Sequence, residues 1–427
     1  MNRPILILVL FSLLYGPAET ARPCIPLTID CTLRGERRGP SRIVVRLTDG
    51  SEVHGYFLGL DASGSVRIQD KKGRERQLSA AEVLLIRFVG VARESKPPQG
   101  HLRFRLGGGG VMHGLLLKGT YDDVEVETAA FGRFTLPLER LEWLEVPSAV
   151  SRAPSGFAKA GPMDRDVLFL QRASGVDHVV GEVARLAKDA VVFEWGGRGE
   201  TRFENVRDKV VAVRLSEPEV APVTKALLAR VESRDGSVLY GQLLKPDERS
   251  LSLRLPWGKQ LSVDESQVVA LTFEGGPVVS LSGLTPRSIN ETPYIEGGLT
   301  YGLHVDESLQ GGEPHVGGVA FPRALVVHSR CELVYSIPEG ASSFVSAIGI
   351  DDAVKGRRLG GSVAMSVVLD GKVVYEPTVC HVGQAPRWIP PVDLKGGKEL
   401  RLIADFGKNA HFNGHAVWGL ASFIINQ

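Results

Sequence analysis

Apolar and polar residues alternate with a period of two through most of this chain. Val124 and Val126 alternate with Glu125 and Glu127, which gives a strand one buried and one wet face. Runs of this kind recur as SVRIQD, DVEVETA, AVVFEW and SLSLRL. Each follows a glycine turn and a strand with a glycine in its middle: DGSEVHGYFLGL from Asp49, GGGVMHGLLLKG from Gly108, the looser SGVDHVVGEVARL from Ser174, and DGSVLYGQLLKP from Asp235. The interrupting glycines are Gly55, Gly114, Gly181 and Gly241. A third short strand such as RFTLPL or KQLSVD comes next. The unit then closes on an apolar run, EVLLIRF, RLEWLEV, DKVVAVRL or SQVVALTF.

This is an internal repeat of one supersecondary unit. It predicts antiparallel β units at 40–90, 98–147, 163–216 and 223–276, with a Pro/Ser/Ala/Gly-rich flexible linker at 148–162. A mid-strand glycine allows the sharp bend that a small barrel needs at its corners. The order of turns and strands resembles small Sm-like or SH3-like barrels at the level of the fold, which implies no RNA binding. From Ser288 the tight repeat gives way to longer loops. The strand candidates there, among them LVVHSR, ELVYSI, SFVSAIGI, VAMSVVLD, KVVYEPTV, ELRLIADF and VWGLASFI, suit a jelly-roll β-sandwich over 288–427. The predicted class is all-β: repeated small barrel-like units followed by a sandwich.

Composition narrows the function classes. A chain of 427 residues exceeds one core. The formal net charge of +1 and the lack of a basic stripe interleaved with aromatics argue against a nucleic-acid partner. Met1-Asn2-Arg3, the apolar run Ile5 to Tyr15 and small residues through Ala18 read as an export signal over 1–18, too short to span a bilayer. The expected location is therefore exported, whether periplasmic, cell-surface or secreted, with no integral span after signal removal. The four cysteines Cys24, Cys31, Cys331 and Cys380 permit two disulfides in an exported chain, and no CxxC pair or Cys/His cluster points to zinc.

In the last third, the order TPYIEGG, HVGGVAFPRALVVHSRCELVYSIPEG, FVSAIGIDD, VVLDGKVVYE, ELRLIADF and HAVWGLASF resembles the NPCBM family of bacterial extracellular carbohydrate-binding modules. The resemblance implies a galactose-binding-like β-sandwich and a glycan partner. It directs attention to His328, Asp351, Asp352, His415 and Trp418 as candidate ligand-binding residues. Each has a structural alternative. His328 suits a buried hydrogen-bonded site, Asp351 and Asp352 suit a solvated turn, and Trp418 suits the core. An exposed indole would instead stack on a pyranose face. Asp370-Gly371 is a hairpin signal. No cofactor is expected, although Asp351 and Asp352 would suit calcium through oxygen ligands. The chain departs from the family pattern in two places: Ala324-Leu325 replaces a Leu-Gly before Val326-Val327-His328, and Gly414 and Val417 stand where a late acidic pair is expected.

No GxSxG, HExxH or phosphate-loop motif occurs, and spacing alone selects no carboxylate pair for glycoside hydrolysis. His54 and His113 sit at the same place in two repeats, where the other units have Val180 and Tyr240, which suits a repeated structural niche. The expected function is a non-catalytic carbohydrate-binding or scaffold protein. The alternative is a structural or protein-interaction protein of the cell envelope without a sugar ligand, with a glycoside hydrolase third.

Overall fold

A computed structural model describes residues 40–425, leaving out 61–64, 95–97, 108, 154–156, 158–159, 198, 217, 219–226, 245–249 and 395. The expected export signal, Cys24 and Cys31 lie outside the described residues. The protein is all-β.

In the first unit, strands Arg42–Leu47, Glu52–Leu60, Val66–Asp70 and Glu75–Leu78 form a meander. A 3-10 turn, Ala80–Glu82, then turns the chain into Val83–Phe88, which pairs back onto the first strand. Ser79 and Glu82 cap that turn reciprocally, so both orphan amides at its start are satisfied. The next three units repeat this order and close on Leu141–Glu145, Val210–Arg214 and Val268–Glu274. The repeat glycines now have a steric reason. A Cβ on Gly55, Gly114, Gly181 or Gly241 would stand 2.5, 2.7, 2.0 or 2.9 Å from a backbone oxygen of the third strand. Only glycine lets the two strands close in at the bend.

The closing strands also join the units. Unit 1 meets unit 4 through Ile86 opposite Leu271, and unit 2 meets unit 3 through Leu144 opposite Val213. Closing runs without polar alternation, such as VVAV and VLLI, are explained by this: the strands are covered on both faces.

The sandwich has two sheets. One runs His304–Val305, Ala324–His328, His415–Ile425, Ala341–Ile350, Arg387–Trp388, and the other Ser288–Glu291, Cys331–Ser336, Glu399–Phe406, Ser362–Leu369, Lys372–His381. Leu325, Val327, Leu333, Tyr335, Phe344, Met365, Leu402, Trp418 and Phe423 fill the space between them. A separate apolar cluster joins the sandwich to the repeats: Leu84, Leu85, Val269 and Ala270 pack with Phe321, Val326, Val417 and Leu420. Around it, Arg323 pairs with Glu274 and Asp306 and donates to the Tyr240 hydroxyl at 3.2 Å. Arg46 lies over the Trp388 ring at 4.4 Å.

Three expectations change. The sandwich begins ahead of Ser288, because Val278–Ser280 already pairs with the last strand. The described residues of 148–162 are anchored and not a free linker: Ala149 is buried, and Phe157 sits edge-on to Phe169 with ring centroids 5.3 Å apart. Cys331 and Cys380 are buried free thiols. They stand on strands separated by two others in one sheet, so they form no disulfide. Burial pushes both thiols up, to about 12 and about 11, which leaves them inert.

Candidate functional site at one end of the sandwich

Strand register brings the candidates together. His328 lies opposite His415, and the amide of Asp351 donates to the His415 carbonyl at 3.0 Å. Three neighbouring strands therefore end side by side, carrying His328, His415 and Asp351. The loops around 292–303, 351–361 and 407–414 meet there.

The loop 292–303 is held by Glu291. Its carboxylate accepts from the amides of Tyr301 at 3.1 Å and Gly302 at 3.0 Å, while Thr292 N–H donates to the Arg330 carbonyl at 3.0 Å. These contacts place the Tyr301 ring on the His328 ring, with centroids 4.2 Å apart and planes 15° apart. Tyr301 keeps 44 % of its surface exposed, so one face rests on the imidazole and the ring remains open to solvent. Tyr294, also exposed, stacks on His411 at 5.0 Å. Phe412 lies against the same imidazole at 4.4 Å. The loop 407–414 is tied to its neighbour by Arg357, which donates to Asn413 Oδ1 at 3.2 Å, and by the Asn413 amide group donating to the Leu359 carbonyl.

His328 and His415, beneath Tyr301, are both held in the neutral form. Burial, with His328 nearby, pushes His415 down to about 4. His328 is lowered by burial, opposed by its Nδ1 donating to the Ser329 carbonyl at 2.7 Å. A neutral imidazole stacked under an aromatic ring makes a rigid platform, and it leaves the exposed ring face electron-rich, as sugar C–H groups prefer.

The acidic candidates are partly committed. Asp351 Oδ1 accepts from the Ala353 amide at 3.1 Å, and Asp352 Oδ2 accepts from the Gly318 amide at 2.6 Å. Asp351 Oδ2 and Asp352 Oδ1 are buried without a partner among the described residues. Calcium takes six to eight oxygens. No group of three His, Cys, Asp or Glu side chains is placed to hold a metal among the described residues, so these side chains alone do not complete a calcium site. Trp418 is fully buried in the core, so it is not a sugar platform. Asp370 is a turn residue with φ 47° whose carboxylate accepts from the Glu399 amide at 2.9 Å. The late departures from the family pattern also have a cause. A Cβ on Gly414 would meet Ser329 Oγ at 2.0 Å, and Val417 is buried against the repeats.

Tyr294, Tyr301 and Phe412 were not among the residues singled out in the sequence. The available signal was two tyrosines within TPYIEGGLTYG, a loop with no apolar periodicity to recruit them into a core.

Residues 279–424 match the NPCBM/NEW2 domain family. This NPCBM/NEW2 region is the C-terminal third of the chain. A Renibacterium salmoninarum protein named as an endo-alpha-N-acetylgalactosaminidase is 35 % identical over 123 residues. The alignment takes in 28 % of this chain and 8 % of that relative. Among solved structures, the CBM51 module of Clostridium perfringens GH95 in complex with methyl-galactose is 23 % identical, with a TM-score of 0.30 over 34 % of this chain and 99 % of that one. The tandem CBM51 modules of the family 98 glycoside hydrolase of Streptococcus pneumoniae are 12 % identical, with a TM-score of 0.29 over 90 % and 88 %.

Proposed function

We propose that this is an exported, non-catalytic glycan-binding protein whose NPCBM/NEW2 region docks sugar at the loop end of the sandwich. The observation that carries this reading is the half-exposed Tyr301 ring, stacked on neutral His328 within a region that matches a carbohydrate-binding-module family. The roles follow from the contacts. Tyr301 and Tyr294 offer faces to a pyranose ring, Arg357 and the 407–414 loop supply hydrogen-bonding edges, and Glu291 fixes the loop that carries Tyr301. Carboxylates that are engaged by backbone amides suit positioning better than acid–base work. This supports binding without turnover, even though a relative carries a glycosidase name.

The test is a glycan array with the full chain, with and without added calcium, beside Tyr301→Ala. The expected result is binding to a defined glycan set, weakened about 10-fold or more in the variant, with thermal stability changed little, within about 0.5 kcal/mol. An array blank under both conditions removes the lectin reading in favour of a protein-interaction role. Release of reducing sugar from any bound glycan would overturn the non-catalytic part. Export is tested separately by fractionation and N-terminal sequencing of the mature chain, which should begin after Ala18.

A further inference from the structure

In units 1, 2 and 3 the second strand loses register with the third strand just after its bend. The break falls between Leu116 and Lys118 in unit 2, between Val183 and Arg185 in unit 3, and between Phe57 and Gly59 in unit 1. A bulge of this kind re-aims the side chain that re-enters the ladder. That residue is a cation in units 2 and 3 and a glycine in unit 1. The two bulged strands also meet: a Cβ on Gly119 would stand 2.0 Å from the Leu186 carbonyl oxygen, so glycine alone permits the approach.

Where they meet there is an open cleft of about 760 Å³, lined by Lys118, Arg185, Lys188, Arg202 and Arg207, with Asp189 and Asp208 the acidic side chains among its lining residues. Lys118 has Glu125 at 3.2 Å and Arg202 has Glu204 at 3.1 Å. Arg185, Lys188 and Arg207 have no ion-pair partner among the described residues. Arg185 Nε is buried with no hydrogen-bond partner there, a donor that a bound acceptor would satisfy. Five cations in one cleft stand out in a chain whose net charge is only +1.

We propose that this cleft, built on paired bulges of units 2 and 3, is a second binding site, and that it takes an oligosaccharide bearing sulfate or carboxylate groups. The volume suits a short oligomer. Guanidinium groups donate two parallel hydrogen bonds to such oxyanions. The cleft stands on its own geometry, while the choice of a sugar as carrier of the anion rests on the proposed glycan-binding function.

The test is calorimetric titration of the full chain at low and high salt, about 50 and 300 mM. The probes are a heparin tetrasaccharide, a hyaluronan tetrasaccharide and neutral chitotetraose. At least one anionic probe should bind at low salt and weaken at high salt, in a site that chitotetraose does not compete for. Binding of the heparin probe alone assigns sulfate; binding of the hyaluronan probe as well shows that carboxylate suffices. The double variant Lys118→Glu/Arg185→Glu should lose about 10-fold or more in affinity, while Lys72→Glu/Arg76→Glu, on the exposed surface of unit 1, should lose none. If the double variant fails to fold, Lys118→Glu alone, on a side chain 75 % exposed, should still cost about 3-fold. The proposal is overturned if neither anion binds at low salt, or if the unit 1 variant weakens binding equally.

Discussion

The two pairs of repeats are built on one plan and covered in opposite ways. In both, the closing strands meet in the same register. Ile86 faces Leu271 in one pair and Leu144 faces Val213 in the other, and Arg87–Ala270 corresponds to Glu145–Ala212. The neighbouring first strand then puts Glu232 beside Ala270 and Phe169 beside Ala212. One backbone position is thus a carboxylate in the pair 1/4 and an aromatic ring in the pair 2/3. Glu232 is fully buried between Arg230 at 3.4 Å and Arg93 at 3.2 Å, next to the sandwich. Phe169 stacks on Trp143 at 5.8 Å under Phe157. Strand pairing is therefore a property of the repeat, while the outer face is a separate problem for each pair. A whole domain with buried ion pairs covers one face, and a short anchored segment with aromatics covers the other.

Substitutions at the matched position give the largest expected effects. Phe169→Ala should cost about 3–5 kcal/mol in chemical denaturation through the cavity it leaves. Glu232→Ala should cost about as much for a different reason, because it takes the carboxylate from the buried Arg230 guanidinium and from the partly exposed Arg93. Adding Arg230→Met to Glu232→Ala should recover part of that loss, whereas no charge change should rescue Phe169→Ala. A cost below about 1 kcal/mol for Glu232→Ala would break the contrast. Next in size, Phe157→Ala should cost about 1–2 kcal/mol and should raise protease sensitivity within 148–162 while leaving the sandwich junction protected. If cleavage appears at the junction instead, the two covers are not independent.

A smaller effect is expected where the pairs touch. His113 of unit 2 donates twice to unit 4: its amide to Ser237 Oγ at 2.9 Å and its Nδ1 to the Asp235 carbonyl at 2.9 Å. Burial, reinforced by Arg103, pushes its pKa down to about 4 from the usual 6.5. The unfolded chain therefore takes up this proton more readily than the folded one. Stability from the neutral imidazole is complete above about pH 6.5 and is lost as pH falls towards about 4. Hydrogen exchange at 235–238 should speed up over that window, and His113→Gln should flatten the dependence.

Much of the repeat was legible because its signals are local. Glycine at the bend, two-residue alternation and a DGS-type turn each state a short-range demand. Which unit pairs with which was not legible, because that contact joins residues far apart in the chain. The closing runs did carry a hint, since VVAV and VVAL have no wet face. The same reasoning applies to Trp418. Its strand, His415–Ile425, is buried at nine successive positions, so an indole there had to be core. His328, His415 and the two aspartates were reachable from motif order, because the motifs sit where strands end. Tyr301 was not, because its position depends on Glu291 gripping backbone amides ten residues away, a contact without a sequence period.

The pairing of unit 1 with unit 4 encloses units 2 and 3 like brackets within brackets. Ile86 must wait for Leu271, roughly 185 residues later in the chain. At usual elongation rates of about 5–20 residues per second, that is on the order of 10–40 s. Throughout that interval the nascent unit 1 presents an unpaired edge and the apolar pair Leu84 and Leu85, while units 2 and 3 can already join. The order of birth thus differs from the order of assembly, and a chain stalled before residue 268 would leave the ribosome with its inner pair closed and its first unit adhesive.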